Sequence, residues 1–208
     1  MYHLNRIVVF FILVLIGAVI LPETVIAASD SQSSIEQTFQ KAKKDYLDKD
    51  LKAAAQQIQK ASDYMKAQAE KASVTGKEAL AASARELNKL SEDVKKGTIK
   101  SVEKLDEAFA RAYHAMAAES HAKSMEAWAK KQTVKAGNDL DSATKDLERG
   151  MAWTGQKIEK GTKDVIKKSE ELALKLKKKS SVMADEVGNG LKKTGDEIEK
   201  FGKRISSK

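Results

Sequence analysis

From Ala28 to its end, the chain has few side chains with which to build a core. These 181 residues include 29 Ile, Leu, Val and Phe but 27 Ala, and neither Cys nor Pro occurs among them. That bulky apolar content, about 16%, lies under the roughly 20% below which a highly charged chain usually stays unfolded. The net charge of +8 over 208 residues is modest, so folding is not forbidden. Any core must be thin, made by small side chains that let backbones approach. Without cysteine, neither disulfides nor a lipid on a cleavage-site cysteine can supplement it.

Ala, Lys, Glu and Leu are strong helix formers, and no apolar–polar alternation runs long enough to read as a strand. The expected fold is all-α: antiparallel helical hairpins or a bundle of long amphipathic helices, with a Gly/Lys-rich helical C-terminal tail.

The first residues carry an address. Arg6 precedes an unbroken apolar run at residues 7–21, and Val25 and Ala27 supply small side chains at −3 and −1 of a cleavage site. This is the secretory pattern, with cleavage expected after Ala27 or Ala28 and a periplasmic or secreted product. A basic chain often signals nucleic acid, but an exported one is not expected to meet it. Anionic lipid head groups or envelope polyanions are the fitting counter-charges.

Beyond a signal peptide at 1–27, a helical bundle is expected at 28–154 and a basic amphipathic tail, continuing the last long helix, at 155–208. Residues 28–33 read as an irregular start, with Ser33 and Glu36 as a capping box. Ile35, Phe39, Ala42 and Tyr46 share one helix face, and Asp50 can cap the next helix. Leu51, Ala54, Ile58, Ala61 and Met65 continue as a heptad stripe. A break near Gly76 is expected, although the phase also allows one long helix over 51–95. Lys95-Lys96-Gly97 is a helix exit, and Thr98 is expected to cap a helix through Phe109 and Met116. After a turn at 131–133, Leu140, Ala143, Leu147 and Met151 open a helix whose periodicity runs on to about Lys179. A last helix is expected over about 182–205. One echo is visible: residues 46–65 match 128–147 at an offset of 82, with Lys49/Lys131, Ala54/Ala136 and Ala61/Ala143 identical. Duplicated hairpins would produce this, and so would unrelated hairpins using the same chemistry.

Few residues could carry chemistry. His114 and His121 share a helix face but lie two turns apart, roughly 10.5 Å along the axis. One metal ion with nitrogen bonds of about 2 Å cannot span that. With Met125 and Trp128, beside Tyr113, they form a candidate ligand or packing face. No nucleophile motif, phosphate loop or metal-binding helix motif is present. Neither catalysis, a cofactor nor a metal is expected.

The tail repeats a small residue followed three positions later by an aliphatic, every seven residues: Gly155/Ile158, Thr162/Val165, Ser169/Leu172, then Gly188/Leu191, Gly195/Ile198 and Gly202/Ile205. Such a seam lets helices approach closely at a cost of roughly 1 kcal/mol per Gly against Ala. It predicts antiparallel packing of 155–172 on 188–205, or the same seam used between chains or against lipid. Residues 155–208 hold 15 cations and 9 anions, against 22 and 20 for 28–154. Lys175, Lys177, Lys178 and Lys179 form the densest basic surface. In composition these Lys/Ala/Glu/Gly-rich repeats look like apolipoprotein-type or late-embryogenesis-type helices.

The sequence therefore predicts a non-catalytic exported protein acting through association with other proteins or itself, structural or stress-protective in the cell envelope. Two alternatives stand beside it. One is an apolipoprotein-like binder of anionic membrane surfaces through residues 155–208. The other is a small-ligand carrier using the His114/His121/Trp128 face.

Overall fold

The computed structural model describes the backbone of residues 26–206 and side chains from Ser34 onward. The expected signal peptide lies, up to Val25, outside the described residues. Seven helices follow: α1 (Ile26–Leu47), α2 (Leu51–Glu70), α3 (Val74–Lys95), α4 (Glu103–Ala129), α5 (Thr133–Trp153), α6 (Lys160–Lys177) and α7 (Ala184–Ser206). No strand occurs among the described residues. No described helix is long and apolar enough to cross a membrane.

Short turns make each helix antiparallel to the one before it, and every consecutive pair packs together. α4 also meets α1 on one side and α7 on the other. The result is two four-helix bundles, α1–α4 and α4–α7, that share α4. The first core gathers Phe39, Ile58, Met65, Leu80, Leu87, Leu105, Phe109 and Tyr113. The second is built from Leu147, Met151, Ile166, Ile198 and Phe201 at one end, and from Leu140, Leu172, Leu176, Val187 and Leu191 at the other.

Sharing one helix makes two demands on α4. Leu105, Phe109, Ala112 and Met116 face the first bundle. Ala110, Ala117 and Ala127 face the second, and Ser124 Oγ reaches across to donate to the Ala136 carbonyl at 2.7 Å. A helix buried on both sides has no single apolar stripe. Small residues on the α5 side keep the second interface close.

The offset of 82 recurs in the helix boundaries. α1 ends at 47 and α4 at 129; α2 starts at 51 and α5 at 133; α3 ends at 95 and α6 at 177. The pattern is of three-helix units, α1–α3 and α4–α6, with α7 placed as the first helix of a third. Four helices stop in the same way. The residue after the cap takes a left-handed conformation at Lys49, Gly97, Lys131 and Lys179, and the next N–H bonds back into the last turn from Asp50, Thr98, Gln132 and Ser180. Only one of the four is glycine, although glycine adopts this conformation at least cost. α7 differs from α4 on its outward side: Lys192, Glu199 and Ser206 stand exposed at the positions of Ala110, Ala117 and Ser124.

Several expectations are corrected. The helix read as continuous to Lys179 ends at Trp153, because Gly155 is left-handed (φ +64°) and α6 starts only at Lys160. The tail is thus a separate hairpin rather than an extension of the preceding helix. Residues 28–33 are already helical. The break within 51–95 falls at 71–73, where Ser73 Oγ accepts from Gly76 N, so Gly76 sits inside the first turn of α3. α4 starts five residues after Thr98, whose hydroxyl instead donates back to the Asp93 carbonyl.

Ala117→Leu tests the close α4–α5 approach. The added side chain brings hydrophobic area into a fully buried position, yet overpacking should lower stability by about 1–3 kcal/mol in urea unfolding. A gain in stability would show that the helices leave room.

Candidate functional site

The sequence-derived residues do not come together as one site. Tyr113 is buried in the first core. Met125 is half exposed, and Trp128 lies near the far end of α4, beside Val134 and Val182. His114 and His121 do share one interface, where α4 packs on α7. Gly195 faces the His121 ring, which lies 2.8 Å from where its Cβ would stand, and Gly202 faces His114 in the same way. Two imidazoles seven residues apart therefore fill two notches seven residues apart. The glycines admit α4, where the sequence pattern had suggested the 155–172 helix. Gly188 faces open space, and Gly155 ends a helix.

α6 and α7 do meet through the smaller seam residues. The hydroxyls of Ser169 and Thr194 are 2.6 Å apart, and Thr162 donates to Glu197 Oε2 at 2.7 Å. Leu172, Leu191, Ile198 and Ile205 are buried, while Ile158 and Val165 are partly covered. Val187, Leu176 and Phe201, which the pattern passed over, complete the packing. In the basic cluster, Lys175 pairs with Glu186 and Lys177 with Asp141.

His114 is held below the ordinary imidazole range because burial penalises its cation, partly opposed by a hydrogen bond with the Ile198 backbone. His121 Nε2 lies 2.8 Å from the Leu191 carbonyl. In the first unit, Phe39 occupies the position of His121. It stacks on Phe109 at 4.2 Å and meets Tyr113 edge-on at 5.6 Å. Leu191 and Gly195 stand where Phe109 and Tyr113 do. The same contact is thus aromatic in one bundle and polar in the other.

The units diverge most at the α5–α6 turn. In the first unit, the buried Glu119 carboxylate accepts from Ser73 N (2.8 Å) and Ser73 Oγ (2.6 Å), holding the start of α3. The corresponding residue in the second unit is Phe201, which cannot cap a helix, and there the chain stays irregular through 154–159. Beside this opened turn is a half-enclosed cavity of about 320 Å³. Ala110, Met151, Trp153, Ile158, Phe201 and Ile205 make its apolar floor, and Lys43, Asp106 and Arg204 stand at its rim.

Trp153 anchors the wall. It packs edge-on against Phe39 and Phe109 at 6.2 and 5.1 Å. Its Nε1 donates to Glu36 Oε2 at 3.3 Å, and the Tyr113 hydroxyl donates to the same carboxylate. Burial and that carboxylate push the Tyr113 hydroxyl's pKa up, so it stays protonated. Lys43 Nζ lies 5.4 Å over the Trp153 ring and 2.8 Å from Asp106 Oδ2. Asp106 Oδ1 is buried without a hydrogen-bond partner among the described residues. Among the described residues, no group of three or more His, Asp or Glu is placed to hold a metal ion.

No protein-family model, curated protein or solved structure matches the chain.

The three tail glycines should respond differently to alanine. Gly195→Ala and Gly202→Ala should each cost about 1–3 kcal/mol by crowding a histidine. Gly188→Ala, in open space, should add about 0.5–1 kcal/mol through helix propensity. Equal effects at all three in thermal unfolding would refute the notch geometry.

His114 also gives a pH signature. Its pKa is lower in the fold than in the unfolded chain, so the unfolded chain takes up its proton first. Its contribution is complete above about pH 6.5 and declines as pH falls below that value. His114→Gln should therefore flatten the fall in thermal midpoint between pH 7 and pH 5. An unchanged slope would mean that His114 titrates alike in both states.

Proposed function

We propose that this is a non-catalytic, exported helical binding protein of the cell envelope, and that it holds a small amphipathic molecule in the cavity beside the α5–α6 turn. The observation that carries the reading is the coincidence of the cavity with the place where two otherwise matched units diverge. An apolar floor with a few convergent polar groups is the usual character of a ligand site. About 320 Å³ is the small end of the range for such sites. Carboxylates of Glu103, Asp106 and Glu107 in the lining supply acceptors for a head group that donates a hydrogen bond, an ammonium or hydroxyl, and such a head group is proposed over an anionic one. The small-ligand reading thus moves from the His114/His121/Trp128 face to this cavity. Association through the tail seam is less favoured, because the seam's buried side chains are already covered by α4, α5 and α6.

The Trp153 ring reports on the cavity. In a Trp128→Phe background, short alkylammonium ions should shift Trp153 emission saturably, and alkyl sulfates of equal length should not. Ala110→Phe, which fills the floor, should abolish the response. Equal responses to both head groups, or a response that survives Ala110→Phe, would overturn the assignment.

A further inference from the structure

The antiparallel order sorts the turns onto two ends of the molecule. The turns at 48–50, 96–102 and 154–159 lie at one end with the cavity, and those at 71–73, 130–132 and 178–183 lie at the other. The cavity end carries four lysines and three acids in its turns: Lys49, Lys96, Lys100 and Lys157 with Asp48, Asp50 and Glu159. The opposite end carries five lysines and no acid: Lys71, Lys130, Lys131, Lys178 and Lys179. Helix polarity does not explain the difference. Four helices end at the cavity end and three at the opposite end, so helix dipoles would favour cations at the cavity end if anything.

Exposed apolar side chains follow the same division. Of the five large hydrophobic residues exposed among the described residues, Leu47 lies at the cavity end. Val74 (95% exposed), Met125 (50%), Leu174 (47%) and Met183 (73%) lie at the basic end. The three basic turns form one continuous surface. Gln132 and Lys135 line both a concavity shared with Lys71, Val74 and Lys130 and a second shared with Trp128, Lys179 and Val182. Lys130 pairs with Glu126, but Lys71, Lys131, Lys178 and Lys179 have no ion-pair partner among the described residues.

We propose that this end docks on an anionic lipid surface, with its unpaired lysines over the head groups and Val74, Met125 and Met183 reaching toward the acyl boundary. Lysines unneutralised by the fold, interleaved with apolar side chains it leaves bare, match a surface that is both anionic and apolar below. A protein partner would have to supply both features. Water alone would favour the first and penalise the second. The site differs from the tail-based membrane reading, because the seam of α6 and α7 stays inside the bundle and the contact is made by three turns. It is independent of the cavity, which opens at the opposite end.

Among the described residues every buried apolar side chain lies between Ile35 and Ile205, so a chain beginning at Ala28 keeps all of them and removes the apolar run at 7–21 from the measurement. That chain, carrying Val74→Trp as a reporter, is titrated with phosphatidylcholine vesicles with and without phosphatidylglycerol. Binding with a blue shift is expected only when phosphatidylglycerol is present, and it should weaken as salt rises. Loss of the Lys contribution is worth roughly fivefold in partitioning per residue, so Lys131→Glu with Lys179→Glu should weaken binding at least about 25-fold. Lys96→Glu with Lys157→Glu, at the other end, should leave it within about twofold. Equal losses from the two pairs would reduce the effect to net charge and overturn the proposal. So would binding to pure phosphatidylcholine, or the absence of binding to either vesicle. Concentration-dependent self-association abolished by Lys131→Glu with Lys179→Glu, without vesicle binding, would reassign the end to a second copy of the chain. Circular dichroism of each variant separates lost binding from lost folding.

Discussion

Everything in this fold depends on α4 being buried from two directions. A helix so placed cannot show solvent a polar half, and its neighbours must come close enough to cover it with little apolar material. The chain meets this with alanine on the side facing α5 and with larger side chains on the side facing the first bundle. Dispersion contacts are individually small, so an alanine-rich interface stabilises only if the backbones approach until few voids remain. Scarcity of bulky residues is thus compatible with two bundles. One helix serves as a wall of both cores, and small residues bring the others to it.

The two units show how the same frame can be finished with different chemistry. In the first, Phe39, Phe109 and Tyr113 close the bundle with aromatic contacts, and Glu119 fastens the neighbouring turn. In the second, histidines set in glycine notches close it, and a phenylalanine replaces the fastening carboxylate. Where that carboxylate is absent the turn is longer and irregular, and the cavity lies beside it. Binding capacity here would arise from removing a structural contact at one of two equivalent places.

Much of the helical pattern was legible because heptad faces report burial directly. Ala54, Ile58, Ala61, Met65, Leu140, Ala143 and Leu147 read as one-sided stripes, and all are buried. What periodicity cannot say is which helix covers a face. Gly195 and Gly202 each receive a neighbouring side chain, but the occupants, His121 and His114, lie some 80 residues earlier in α4 and not in 155–172. The α5–α6 break was hidden because the heptad phase runs unbroken through Gly155, so a single left-handed residue outweighed a pattern spanning forty. The cavity could not be seen at all. Its lining comes from α1, α4, α5, the following turn and α7, segments that no local spacing relates.

The outward side of α7 has a consequence for assembly. A chain made of repeating units that share a helix is open-ended in principle: whatever face α4 offers to α5, the last helix would offer to a further unit, or to a neighbouring molecule. An alanine-lined last helix would invite head-to-tail addition, and a contact of that kind closes on itself only by accident; otherwise it propagates into a fibre. Lys192 and Glu199, standing where α4 has Ala110 and Ala117, place charges that would have to be desolvated for each added molecule. Two side chains thereby turn the outward face of α7 against the close helix packing that the matching face of α4 accepts.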